Sequence, residues 1–298
     1  MGTEIYPLTL EPIVAEQFWG QDPDLPQDDN LPPGFLGTLW MATDNSRISA
    51  GPQAGRGLAY LRQIWSGGLV GAVAGANPDR LLPVELKLKR TGAEALAVAL
   101  TEDSLWYFLA AEEDSSINAG FRAGLDFQKA AAEAGRDPGR WSEYMPEYPV
   151  EAGRCLFLPK FSPLLLGAGL TVAQIGAPAR SLSGWPLSGF GPEGLSLAEE
   201  AGRPSWLEPE KAGEEMTEIY RVPTLTVTLV RTAQLSTVVS QEAATFIWPI
   251  AGQGRIRARG PAPVTRLTPG KVVMIPASLG RYAVESGGQV SYLLIEAC

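Results

Sequence analysis

The chain contains no histidine among its 298 residues. Imidazole is the general base of serine and cysteine triads and a common ligand of zinc and iron, so this absence excludes such triads, histidine metal centres and a histidine pH switch. Two cysteines, Cys155 and Cys298, are too few for a disulfide framework. Only an all-oxygen site for Mg²⁺ or Ca²⁺ stays open, and the acidic clusters lack EF-hand spacing. We therefore expect no cofactor.

Long apolar runs and an excess of basic charge are also missing. No stretch approaches the ~18 apolar residues of a membrane helix, and the first residues lack the basic and apolar segments of a signal peptide. The net charge is −9, whereas nucleic-acid binding needs a basic patch. The run Arg255–Arg259 alternates basic and apolar residues, which is typical of the wet face of a strand. We predict a cytoplasmic protein that binds neither membrane nor nucleic acid.

Strand patterns dominate what is present. Val84–Lys89 alternates with period two, and short apolar segments follow it as far as residue 111. Residues 125–134 are rich in alanine and predict the clearest helix, which Gly135 ends. Residues 183–215 hold many Gly, Pro and acidic residues, as a linker does, and a second group of short strands follows. This arrangement favours a sandwich or barrel over βαβ units.

A weak internal repeat connects the two groups of strands. Gly153–Pro159 and Gly270–Pro276 both read G-x5-P around an apolar segment. Glycine turns the chain into a buried strand, and proline ends the pairing where the chain leaves the sheet. Because each copy lies late in its own group of strands, the repeat predicts two copies of one barrel.

G-x5-P also opens the second sequence motif of the cupins, and the order of several other fragments resembles type I phosphomannose isomerase of the short bacterial kind. These fragments are Phe18–Gly20, Leu36–Trp40, Ala50–Gly55, Leu82–Lys87, Leu105–Tyr107, Ala119–Phe121 and Phe157–Leu170. The resemblance implies a mainly β chain with two cupin-like, jelly-roll barrels and a small helical excursion. It divides the chain into an N-terminal segment packed on the first barrel (1–80), the first barrel (81–182), a linker (183–215) and the second barrel (216–298).

The family converts mannose 6-phosphate into fructose 6-phosphate with a zinc ion held by Gln, His, Glu and a second His. Carried over by motif, these ligands fall on Val98, Leu100, Ser104 and Leu164. Val98 and Leu100 lie two apart on a strand and so face the same way. We therefore expect no metal, and a dry apolar plug where the resemblance places the ion.

Polar residues remain near that position. They are Glu85, Lys87, Lys89, Ser104, Lys160 and Gln174. Lys87 matches the lysine that the family places near its substrate, which predicts a residual pocket for a sugar or phosphate. The simpler interpretation is an exposed strand face with ordinary charge alternation.

Three functions are compatible with this chain. The first is a non-catalytic, carbohydrate-related binding or regulatory protein, a pseudoenzyme whose ligand is a sugar or sugar phosphate. The second is a metal-independent sugar-phosphate isomerase, with Glu85 or Glu102 as proton shuttle and Lys87 as electrophile. The third is a structural subunit of a homo-oligomer. A pocket lined by Lys and Arg favours the first two, a filled barrel favours the third, and the balance leans against an enzyme.

Overall fold

The structure is a computed structural model. It describes residues 4–21, 35–65, 68–71, 80–92, 96–126, 129–130, 133, 138–178, 202–207, 215–233, 237–240, 243–258 and 262–297. In the first half the strands are β1 (Leu8–Thr9), β2 (Ile13–Gln21), β3 (Phe35–Ala42), β4 (Glu85–Arg90), β5 (Leu96–Ala99), β6 (Ser104–Ala111), β7 (Ser116–Ala119), β8 (Glu147–Pro149), β9 (Cys155–Leu158), β10 (Pro163–Leu166), β11 (Leu170–Gly176) and β12 (Ser205–Leu207). In the second half they are β13 (Met216–Val222), β14 (Leu225–Ala233), β15 (Thr237–Ser240), β16 (Thr245–Ala251), β17 (Gly254–Ala258), β18 (Thr265–Leu267), β19 (Val273–Ile275), β20 (Arg281–Ser286) and β21 (Gln289–Ala297).

Helical structure is sparse in the described residues. One α-helix, α1, spans Leu58–Ile64, and 3-10 turns span Pro138–Tyr144 and Ala277–Leu279. Of the helix predicted at 125–134, the residues Lys129, Ala130 and Glu133 are helical and several others lie outside the described residues. None of the described helices is long and apolar enough to cross a membrane.

The strands form two pairs of sheets, and every pairing is antiparallel. A seven-stranded sheet has the order β12-β9-β6-β11-β4-β3-β2, and a four-stranded sheet has the order β5-β10-β7-β8. A six-stranded sheet has the order β1-β19-β16-β21-β14-β13, and its four-stranded companion has the order β15-β20-β17-β18. Strands β4 to β11 of the first pair of sheets correspond one by one to strands β14 to β21 of the second pair, in the same spatial order. The eight-stranded jelly roll therefore occurs twice.

Period-two alternation distributes the apolar residues over three cores. In β11, Leu170 and Val172 belong to a first-sandwich core between the seven-stranded sheet and its four-stranded companion. Ala173 and Ile175, on the opposite face, belong to a central core that also contains residues of the six-stranded sheet, such as Leu293. A second-sandwich core is built in the same way around Ile247, Tyr292 and their neighbours. The two large sheets therefore lie back to back, each covered on its other face by a four-stranded sheet.

The predicted fold class, mainly β with two cupin-like jelly rolls, is confirmed, although the sheets remain open at their edges. The G-x5-P copies enclose β9 and β19, which hold corresponding places in the two large sheets. The domain boundaries stay a prediction. The N-terminal segment supplies β2 and β3 to the seven-stranded sheet and β1 to the six-stranded one.

Candidate functional site

The candidate site lies on β4, the strand of sequence Glu-Leu-Lys-Leu-Lys-Arg. Leu86 and Leu88 belong to the central core, so the alternate residues Glu85, Lys87 and Lys89 face the inside of the first sandwich. Their relative exposures are 7%, 6% and 4%. The interpretation of this face as an exposed, solvated strand is therefore wrong. Among residues whose side chains the structure describes, these three are the charged ones that are buried.

Glu85 and Lys87 form a buried ion pair at the start of this strand. The Lys87 Nζ lies 3.2 Å from Glu85 Oε2, and the Arg80 guanidinium lies 3.6 Å from Glu85 Oε1. The same Nζ stands 4.0 Å from the centroid of the Trp40 ring, on neighbouring β3, in cation–π geometry. Burial lowers the pKa of Lys87, and the Glu85 carboxylate opposes this effect.

Lys89 is the most deeply placed cation. Its Nζ donates a hydrogen bond to Thr38 Oγ1 at 3.1 Å, on the neighbouring strand β3. Burial, reinforced by the charge of Lys87, lowers the pKa of Lys89 to about 7. A buried lysine with a neutral partner is costly in its charged form, and a nearby anion would restore the charged form.

Gln174 lies beside Lys87 in the register of β11 and β4. Its Oε1 is buried and accepts no hydrogen bond from the described residues. Unsatisfied buried acceptors are unusual and cost free energy, and a ligand hydroxyl would satisfy them. The site therefore combines two cations with one buried acceptor, Gln174 Oε1, that has no donor among the described residues.

The positions that the resemblance assigns to metal ligands look different. Val98, Leu100 and Leu164 are buried members of the first-sandwich core, and Val98 pairs directly with Leu164 between β5 and β10. Ser104 Oγ accepts a hydrogen bond from the Trp106 Nε1–H at 2.8 Å. Three of the four side chains have no donor atom, so these residues do not fit a zinc ion. Within the described part of the chain, no three His, Cys, Asp or Glu residues are grouped to hold a metal.

The remaining predicted residues lie elsewhere. Glu102 and Lys160 are exposed in turns beside β6 and β9, and the backbone N–H of Lys160 donates to Asp103 Oδ1 at 2.8 Å. Neither side chain forms an ion pair with the β4 charges among the described contacts, and their roles stay predictions. Sequence reasoning did not assign Trp40 or Arg80 to the site, although Trp40 ends a fragment that carries the family resemblance.

The register of the two jelly rolls gives each site residue a counterpart. Ser104 pairs with Leu158 and Thr245 with Ile275, each one residue before the proline of G-x5-P. Following the pairs across β11 and β21 to β4 and β14, Glu85, Lys87 and Lys89 correspond to Thr226, Thr228 and Val230. The second jelly roll thus carries neutral residues where the first carries charges.

The fold has clear relatives among solved structures. The mannose 6-phosphate isomerase from Bacillus subtilis is similar with a TM-score of 0.73 and 14% identity, over 98% of this chain and 99% of that chain. The apo form of mannose 6-phosphate isomerase from Salmonella typhimurium gives a TM-score of 0.70 and 13% identity, over 98% and 99% of the two chains. No family model and no curated protein matches the sequence. At this identity the likeness establishes that the chain has the fold of the phosphomannose isomerases.

Proposed function

We propose that this chain is a non-catalytic binding protein for a small anionic polyol of the sugar-phosphate class. The observation that carries the proposal is the burial of Glu85, Lys87 and Lys89 on one strand face of a core that is otherwise neutral. Burying charges is expensive, and a fold that needed only stability would be better served by apolar residues there. The second jelly roll has uncharged residues in the corresponding places, namely Thr226, Thr228 and Val230.

The chemistry of the site matches both parts of such a ligand. Lys87 and Lys89 provide two ammonium groups against one buried carboxylate, Glu85, so an anionic group would balance the second cation. The unsatisfied Oε1 of Gln174 would accept a hydrogen bond from a ligand hydroxyl. The indole ring of Trp40 adds an apolar face of the kind that packs against the C–H face of a sugar.

The apolar residues at the positions that the resemblance assigns to the metal support the proposal that the chain does not catalyse the isomerisation. Val98, Leu100 and Leu164 fill the place where the resemblance expects the metal. Without an ion to polarise the sugar oxygens, an enediolate loses stabilisation worth about 10³-fold or more in rate. A coupled assay should therefore show no interconversion of mannose 6-phosphate and fructose 6-phosphate, with or without added Zn²⁺. Turnover that EDTA abolishes would contradict this part of the proposal.

Binding is tested by calorimetry on the full chain. The ligands are mannose 6-phosphate and fructose 6-phosphate, with mannose and inorganic phosphate as controls that carry only one half of the chemistry. The matched variant is Glu85→Thr/Lys87→Thr/Lys89→Val, which installs the residues of the second jelly roll. We expect the sugar phosphates to bind the natural chain and this variant to lose at least about tenfold in affinity. Equal binding by both proteins would place the ligand elsewhere and overturn the proposal.

A metal-independent isomerase is the second candidate, because the Glu85 carboxylate and the Lys87 ammonium lie 3.2 Å apart. A carboxylate can move a proton between C1 and C2 while an ammonium group polarises the carbonyl oxygen. This candidate predicts EDTA-resistant turnover, with exchange of the C2 proton of mannose 6-phosphate against solvent deuterium, and loss of both in Glu85→Gln. Exchange without a dependence on Glu85 would exclude it.

Location and assembly belong to the same proposal. A ligand of this class is consistent with the cytoplasmic location expected from the sequence, and we propose neither a membrane nor a nucleic acid as partner. A homo-oligomer stays a prediction, which sedimentation of the purified chain would decide.

A further inference from the structure

A second concave surface lies between the N-terminal segment and the second jelly roll, and it shares no lining residue with the β4 site. It has a volume of about 440 Å³, which is in the range of small-molecule sites. One wall comes from residues before β1 and after β3, and the other comes from β18 and the turn that follows it. The Thr265 hydroxyl fastens the two walls by donating to the Pro7 carbonyl at 3.1 Å.

The N-terminal wall is tightly constructed around Tyr6. The Tyr6 hydroxyl accepts the Gln53 N–H at 2.6 Å, and its ring packs on Gly51. A Cβ at Gly51 would lie 2.8 Å from that ring, and the residue has φ +89°, so only glycine fits there. Ser49 donates from both its N–H and its hydroxyl to the Thr9 carbonyl. This wall is therefore fixed before any ligand arrives.

The opposite wall is cationic. Arg266 and Lys271 are exposed and line the cleft, and none of the lining residues is acidic. Arg266 lies directly opposite Arg255 in the ladder of β17 and β18, and like charges so placed destabilise a sheet. Glu285 neutralises part of this charge, because its carboxylate contacts Arg255 at 2.8 Å and Arg257 at 3.3 Å.

Arg266 and Lys271 lack such a partner among the described ion pairs. In a chain with a net charge of −9, a cleft whose charged groups are all cationic is a local attractor for anions. Beside the cations lies Val264, a large apolar residue that is 50% exposed, with Pro263 next to it in the lining. The cleft therefore offers a charged part and an apolar part side by side.

We infer that this cleft binds a small molecule in which an anionic oxygen group, phosphate or carboxylate, is attached to an apolar body. Arg266 and Lys271 hold the anionic group, and Val264 and Pro263 contact the body. The site is separate from the charges on β4 and does not depend on the function proposed for them.

The test uses phenyl phosphate as the probe on the full chain, followed by calorimetry or ligand-observed NMR. Benzoate replaces the phosphate by a carboxylate, phenol removes the anionic group, and inorganic phosphate removes the apolar body. We expect phenyl phosphate or benzoate to bind more tightly than phenol and inorganic phosphate. The ratio of the affinities for phenyl phosphate and benzoate identifies the preferred anion. The double variant Arg266→Gln/Lys271→Gln should bind the preferred probe at least about tenfold more weakly.

Three further variants make the result decisive. Val264→Glu places a carboxylate in the cleft and should also abolish binding, while its exposed position leaves the fold intact. Arg257→Gln removes an exposed arginine on the neighbouring strand outside the lining and should leave the affinity unchanged. The triple substitution on β4 should leave it unchanged too. The inference is overturned if no probe binds, if Arg257→Gln weakens binding as much as the double variant, or if binding depends on the β4 charges.

Discussion

The two jelly rolls share one topology but have different interiors. In both, a large sheet and a four-stranded sheet enclose an apolar core, and in both the first strand of the eight, β4 or β14, faces the core with every second residue. On β14 these residues include Thr226, Thr228 and Val230, whereas β4 carries Glu85, Lys87 and Lys89 there. The neutral version shows that this fold can form without charge at this place, which supports the binding role proposed for the charges of β4.

The comparison also separates two parts of the first jelly roll. Strands β5 and β10, together with Leu100 just after β5, carry the apolar residues at the positions that the resemblance assigns to metal ligands. The β4 strand carries the buried charged residues. The apolar side chains at the positions that the resemblance assigns to the metal, together with the buried charges of β4, are the basis on which we propose binding rather than catalysis.

The largest effect on stability is expected from making a cavity in the first-sandwich core at Leu164, one of the positions that the resemblance assigns to a metal ligand. Leu164→Ala removes a fully buried side chain and should lower the free energy of unfolding by ~2–5 kcal/mol. Leu294→Ala in the second-sandwich core is the matched variant, and it should cost a similar amount if both interiors are packed alike. Urea unfolding of the two variants decides it. A cost below about 1 kcal/mol for Leu164→Ala alone would mean that the first interior is hollow.

The next largest effect is the difference in stability lost when a buried ion pair and an exposed ion pair are broken. Glu85→Gln leaves Lys87 buried without its anion and should cost ~2–4 kcal/mol in the free energy of unfolding. Glu285→Gln removes the partner of Arg255, whose side chain is 56% exposed, and should cost less than ~1 kcal/mol. The same unfolding measurement serves both. Equal costs would show that β4 is better solvated than its burial indicates.

Converting the first jelly roll into the second should stabilise it. Glu85→Thr/Lys87→Thr/Lys89→Val removes three buried charges and installs the residues of β14, which should raise the free energy of unfolding at pH 7 by ~1–4 kcal/mol. The gain should shrink as the pH rises from 7 towards 10. The folded-state pKa of Lys89 lies below its unfolded value, so the unfolded chain binds more protons in that window and the natural chain gains stability with pH. A loss of stability in the triple variant would contradict the comparison.

The smallest effect concerns the affinity for the proposed sugar phosphate. Lys89 holds its proton below pH 7 and loses it above, and only the protonated form attracts an anion. Between pH 7 and 9 the affinity for mannose 6-phosphate should therefore fall by about tenfold. Lys89→Val should bind more weakly at pH 7 and vary little with pH. A natural chain whose affinity is constant over this range would show that Lys89 does not take part in binding.

Much of the architecture was accessible from the sequence, but the burial of its strands was not. The alternation Val84–Lys89 predicted β4, and the two G-x5-P fragments predicted the duplication. Alternation shows that two faces differ, and it normally means that the polar face is wet. Here the seven-stranded sheet is covered on both faces, so the polar side of β4 is buried as well, and no local pattern reveals the second cover.

The sequence predicted those site residues that lie on β4 and β11, and it missed those that reach the site from other elements. Lys87, Lys89 and Gln174 share one face because strand pairing follows from the fold that the resemblance implied. Trp40 and Arg80 reach the Glu85–Lys87 pair from outside β4, through pairing and loop geometry that leave no local signal. The sequence does hold one signal for Trp40. It lies between Leu39 and Met41 on β3, which belong to the central core, so strand alternation places Trp40 on the other face, where the β4 charges lie.

The short strand β1 has a consequence for how the chain reaches its native state. Leu8 pairs with Met274 and Thr9 with Val273, so the two strands are very far apart in the sequence. During synthesis β1 cannot pair until β19 has left the ribosome, and closing so long a loop is slow. Until then the edge of β19 that β1 covers is an unpaired template on which another nascent chain can pair. We expect refolding to show a late phase in which this edge closes, and aggregation to compete with that phase more than with the formation of either jelly roll.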